Sequence, residues 1–351
     1  MLANQVHSTS INLRPLSLGE ILDRSLRLYR RNFLAFAGAA AIVMLPLNLL
    51  QSGLMLFSQI MQTQALESGN AAASLAGSVA LMGGGSVTGL VGLVLTIVAQ
   101  TAISRATADV LMGQTSGVFK AYRRLGPIAG NLLVMVMLLG ALSIGLGLWA
   151  ILVPCIGWLT GPAAVVFLQA AIIPLSSVII SLERHTPLNV IRRAWEISRQ
   201  RFWWMLGFSV VLGLFNLAVS LGPTALLEGL ALSSLSNDSL MQFQILNTVV
   251  SAVSALFVTI IMTPLIAVAF TLVYFDLRIR YEGLDLLLEA HGPVQDIAEV
   301  TSQAVAPQAE LLRSQDMLNM AKFTLLIIGL YLAFFGVIFG VLMIISTAAT
   351  Y

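Results

Sequence analysis

The chain has 351 residues, of which 58% are hydrophobic and only 10% charged, with a formal net charge of +2. Its mean hydropathy is +0.92. Soluble domains carry about 25% charge, so this composition excludes a string of soluble domains and predicts an all-α, polytopic membrane protein.

In chain order, Met1–Leu13 holds no Lys or Arg and no continuous apolar core. It is not read as a signal peptide, and the first span is expected to direct insertion. Ser17–Arg31 reads as a basic amphipathic helix at the membrane interface. Ser17 and Glu20 supply the S-x-x-E capping box at its start. Spans then follow at about Phe33–Phe57, Ser86–Ile103, Ile128–Leu152 and Trp158–Leu182, each close to the ~20 apolar residues that cross a bilayer core. The small-residue stretch Ala71–Gly85 either extends the second span or forms a surface hairpin.

Thr186–Arg201 is a second basic helix, with Thr186 as cap and Pro187 at the first position. Leu188, Ile191, Trp195 and Ser198 share one face, while Arg192, Arg193, Glu196, Arg199 and Gln200 fill the other. Phe202, Trp203 and Trp204 sit where aromatic rings favour the headgroup layer. Spans at Phe202–Leu221 and Ile245–Phe275 complete a membrane domain over residues 1–281. An acidic arm covers residues 282–322. A further C-terminal span, Phe323–Ser346, lies within residues 323–351.

The two basic helices match in register: Ile21 falls on Val190, Leu22 on Ile191, Arg24 on Arg193, Leu28 on Ile197, Arg30 on Arg199 and Phe33 on Phe202. A shorter, looser copy at Ser116–Leu125 precedes spans three and four, and Gly126-Pro127 breaks it. Spans two and six each end in an aspartate, Asp109 and Asp276. The pattern predicts two to three direct helix-plus-hairpin repeats plus a seventh span.

All 18 Lys and Arg fall on one side of this layout. The positive-inside rule places the N-terminus and the basic loops in the cytoplasm and the C-terminus outside. Arg24, Arg27, Arg30, Arg31, Arg123, Arg124, Arg192, Arg193, Arg199 and Arg201 are the candidate contacts for anionic phospholipid or for a protein partner. The acidic arm is a further candidate occupant of this basic face.

No span carries a charge in its core. Its polar residues are amides such as Asn48, Gln100, Gln169 and Asn247, suited to helix–helix hydrogen bonds or to lining a polar path. Pro46, Pro174 and Pro264 lie inside spans and predict kinks. The sole cysteine, Cys155, excludes an intramolecular disulfide and is expected to be buried as a small apolar residue. His7, His185 and His291 are too scattered for a metal site. H-E-x-x-H, G-x-S-x-G and P-loop patterns are absent, and no catalytic residue, cofactor, metal or nucleic-acid partner is predicted.

Four stretches, Leu13–Phe33, Ala102–Gly113, Glu183–Phe202 and Tyr274–Asp285, resemble the bacterial proteins described as the glycerophosphoryl diester phosphodiesterase membrane domain. The resemblance spans residues 13–286. It implies a bacterial cytoplasmic-membrane domain of about six helices with interfacial helices between them. It does not imply phosphodiesterase activity, which in that family belongs to a separate soluble barrel with a metal-binding acidic and histidine cluster. This chain has no segment for such a barrel. The seventh span and the acidic arm depart from the family pattern. The expected function is a non-enzymatic membrane subunit or scaffold with a basic cytoplasmic face. The alternative is a transporter or lipid-handling protein with a cavity around its proline-kinked spans.

Overall fold

The computed structural model describes residues 15–68, 71–114, 117–183, 185–233, 240–291, 297–302 and 313–348. The Met1–Leu13 stretch and the middle of the acidic arm, residues 292–296 and 303–312, lie outside them. Among the described residues every regular element is helical, and seven helices are long and apolar enough to cross a membrane.

Helix α1 (Leu18–Arg31) begins at the expected capping box: the Ser17 hydroxyl accepts from the Glu20 N–H, and the Glu20 carboxylate accepts from the Ser17 N–H. It leads into α2 (Phe33–Ser68). The second span is longer than expected. Helix α3 (Ala71–Val79), a π-turn (Ala80–Gly84) and α4 (Gly85–Leu111) follow one another without a hairpin. The small residues explain this, because they let α3 lie close against α2. The Gly77 carbonyl accepts from the Ser58 hydroxyl at 3.0 Å, and a Cβ at Gly77 would stand 3.0 Å from the Ser58 carbonyl oxygen.

Helix α5 (Val118–Arg123) is a short stub ended by a 3-10 turn at Gly126–Ile128, where Pro127 lacks an N–H. Helices α6 (Ala129–Leu152) and α7 (Ile156–Phe167) form a tight hairpin. Cys155 caps α7 with φ +61° and is exposed, not buried as expected. It lies in the turn between α6 and α7, outside the helix faces that pack together.

A π-turn (Leu168–Ile172) joins α7 to α8 (Ile173–Leu182). Pro174 has no N–H to donate into that widened turn, and the Ser209 hydroxyl donates to the Ala170 carbonyl at 2.8 Å instead. Helix α9 (Pro187–Gln200) leads into α10 (Phe202–Ser233). Then come α11 (Leu240–Glu282), α12 (Leu284–His291), α13 (Ile297–Thr301) and α14 (Ser314–Ala348). At 43 residues α11 is about 65 Å long, well over a hydrocarbon core of about 30 Å. It therefore projects beyond the apolar layer, as does α2.

The core sits towards one end of the bundle. Residues 101–109 of α4, 171–183 from the end of the π-turn through α8, and 267–279 of α11 are buried without interruption. These three helices pack on one another, and α1, α9 and α10 pack around them. Helix α1 buries Ile21, Ser25 and Tyr29, and α9 buries Val190, Ala194 and Ser198 at the matching positions. Helix α14 packs on α7 and leaves large side chains such as Leu325, Phe334 and Phe339 exposed, as a lipid-facing helix does.

Candidate functional site

The second, fourth and sixth spans each reach the charged end of the bundle with a carboxylate that the neighbouring helices bury. Asp109 is 5% exposed, Glu183 3% and Asp276 1%. A lone carboxylate there would carry a large desolvation cost, so each must find cationic or hydrogen-bonding partners.

Glu183 has the densest set. Its Oε1 accepts from the Tyr274 hydroxyl at 2.6 Å and from Arg278 Nη1 at 3.3 Å. Its Oε2 lies 3.0 Å from His185 Nε2 and 3.6 Å from Arg193 Nε. Burial pushes the Glu183 carboxyl up. The hydrogen bond from His185, the charges of Arg278 and Arg193 and the hydrogen bond from Tyr274 outweigh it, and the net displacement is downward. Arg278 also donates to the Thr301 carbonyl at 3.0 Å and, through Nε, to Glu282 Oε2 at 2.8 Å. Arg193 Nη2 donates to Glu282 Oε2 at 2.5 Å. The Thr301 hydroxyl donates to the Leu182 carbonyl. Two guanidinium groups and two carboxylates thus join α8, α9, α11 and α13.

Asp276 accepts the Leu16 N–H at 2.6 Å and Arg280 Nε at 2.9 Å, and Arg280 returns a bond to the Leu16 carbonyl at 2.7 Å. Arg201 stands 3.9 Å from the same carboxylate and over the Trp204 ring. Asp109 pairs with Arg124 Nη1 at 2.6 Å, and Arg105, one turn earlier on α4, donates to the Ser181 carbonyl at 3.1 Å.

No family model, curated protein or solved structure matches this chain.

The ten arginines expected to form a basic face fall into three groups. Arg124, Arg193, Arg199 and Arg201 turn inward to carboxylates, with Arg199 Nη1 3.2 Å from Asp316 on α14. Arg24 is half-buried beside Asp276. Arg27, Arg30, Arg31, Arg123 and Arg192 are exposed, Arg27 with Asp23 as its neighbour.

The amides do not converge. Asn48 donates to the Met44 carbonyl of its own helix at 2.9 Å. The buried Gln100 has its carbonyl oxygen 3.5 Å from the Ser177 hydroxyl. Gln169 is exposed, and Asn247 is half-buried on α11. Sequence reasoning missed Glu183, Tyr274, Arg278 and Glu282. The available signal was that all three even-numbered spans end in an acid.

Proposed function

We propose that this is a non-enzymatic integral membrane protein of a bacterial cytoplasmic membrane, acting as a membrane-embedded subunit or scaffold. Its charged end faces the cytoplasm, and the family resemblance of residues 13–286 belongs to the same proposal. The observation that carries it is the cross-linking of that end. Buried ion pairs tie α8, α9 and α11 together, and Arg199–Asp316 ties α14 to α9. Such a face is rigid, and it still presents Arg30, Arg31 and Arg192 outward for acidic partners or anionic lipid. Asn48 bonds within its own helix and Gln100 meets Ser177 between α4 and α8, which supports a scaffold over a transport path.

The test compares tagged wild type with an Arg30→Glu/Arg31→Glu/Arg192→Glu variant after gentle solubilisation. A protein that co-purifies at comparable stoichiometry with wild type and is lost from the folded variant supports the reading. Wild type arriving with lipid alone would move the assignment to transport or lipid handling.

A further inference from the structure

Between the ends of α4 and α8, the α5 stub and α13 lies a cavity of about 550 Å³. Its size is that of a small-molecule site, since such pockets run from about 300 to 1,000 Å³. Four cations line it: Arg105, Lys120, Arg123 and Arg124. Among the described lining residues the one carboxylate is Glu183, whose charge is already met from the far side by Arg278 and Arg193. Asp109 stands behind two of these cations, 2.6 Å from Arg124 and 3.9 Å from Arg105. Among the described lining residues, cations outnumber carboxylates four to one.

We propose that this cavity binds a phosphate-bearing anion. Guanidinium groups suit phosphate because their planar donors match its oxygens, and a lysine adds a point charge. The site is also built rather than incidental. Arg105 is 8% exposed and held by the Ser181 carbonyl, so its position is set before any ligand arrives. The same walls include Ile128, Ile180 and Leu182, apolar surface of the kind that would meet a lipid's glycerol and acyl carbons. Basic pockets at the ends of membrane helices hold phospholipid headgroups elsewhere by this chemistry. The ligand's phosphate is either that of an anionic phospholipid or that of a soluble phosphomonoester. This inference is independent of partner recruitment: it concerns a cavity between helices, whereas the proposed partner surface is the exposed arginines of α1 and α9.

The experiment uses the full chain in nanodiscs of phosphatidylcholine with and without phosphatidylglycerol, and in detergent with inorganic phosphate or glycerol phosphate. Retained lipid is read by native mass spectrometry and ligand stabilisation by thermal unfolding. Wild type is compared with Lys120→Gln/Arg123→Gln, which spares the Arg124–Asp109 pair, and with Arg313→Gln/Lys322→Gln, which removes equal charge from exposed positions outside both the cavity and the arginine face. A lipid site predicts selective retention of phosphatidylglycerol, weakened about thirtyfold in the cavity variant and unchanged in the Arg313→Gln/Lys322→Gln control. A soluble-ligand site predicts no lipid selectivity and a phosphate-dependent rise in Tm that the cavity variant alone loses. Equal losses in both variants would show general surface attraction and overturn the proposal. So would a wild type that responds to neither lipid nor phosphate.

Discussion

Arg193 on α9 and Glu282 at the end of α11 meet in a two-oxygen ion pair whose side chains are 7% and 12% exposed. Neither helix neighbours the other in sequence, so the pair closes the bundle at its charged end. Breaking a buried pair from one side leaves the other charge unmet. Arg193→Ala should therefore cost about 3 kcal/mol of stability, and Arg193→Met/Glu282→Met clearly less than the sum of the two single changes. Thermal or denaturant unfolding in one detergent measures this. An additive double mutant would show that the pair is not coupled.

The Glu183 carboxyl titrates below its ordinary value of 4.5 in the folded protein. A lowered carboxylate contributes stability that is present above the unfolded value and fades as pH falls towards the folded one. Wild type should lose Tm below about pH 4.5, and Glu183→Gln should start lower but flatten the profile in that window. His185, Arg193, Arg278 and Tyr274 face this carboxyl and remain in the variant. Parallel profiles for the two proteins would refute the assignment.

Ser209 on α10 supplies the donor to the carbonyl of Ala170, beside Pro174. Ser209→Ala should cost about 1 kcal/mol, the scale of an interhelical hydrogen bond in a membrane. A Ser220→Ala change makes a useful control, since that hydroxyl donates only within its own helix, to the Leu217 carbonyl. The two should differ in unfolding free energy.

A Cβ at Gly157 would stand 2.1 Å from the Trp149 carbonyl oxygen, whereas one at Gly145 meets nothing within 4 Å. Gly157→Ala should force α6 and α7 apart and sharply lower the yield of monodisperse protein. Gly145→Ala should behave as wild type. Size-exclusion profiles of the two variants, run side by side, decide the point.

Cys155 is exposed in the α6–α7 turn and is the sole cysteine, so labelling reports a single place. In the proposed orientation that turn faces away from the cytoplasm. A membrane-impermeant maleimide should therefore label it in intact spheroplasts, without the need to open them. Labelling only after lysis would invert the topology.

The spans were legible because lipid demands long apolar helices, and composition alone reports those. Their lengths were not, since hydropathy ends where the apolar layer ends. Helix α11 continues past Phe275 on the strength of Asp276, Arg278 and Arg280, which pair along the helix and also reach Leu16, Glu183 and Thr301 on other segments. The same reason hid the centre at Glu183. Its hydroxyl donor, Tyr274, is 91 residues away, and nothing local marks the acid as buried. Ala71–Gly85 was ambiguous because small residues read alike whether they pack against a helix or turn at a surface; Ser58 and Gly77 decide for packing.

The three buried carboxylates that end the even-numbered spans also set an order for assembly as the chain emerges from the ribosome. Asp109 meets Arg124 only 15 residues later, so its charge is answered almost as soon as α5 is made. Glu183 must wait for Tyr274 and Arg278. Asp276 is met by the Leu16 N–H, synthesised 260 residues before it. Until α11 is complete, the first four spans hold an acid with half of its partners missing and an N-terminal segment with nowhere to dock. A nascent chain stopped before Tyr274 therefore leaves Glu183 without its hydroxyl donor and without one of its two guanidinium partners.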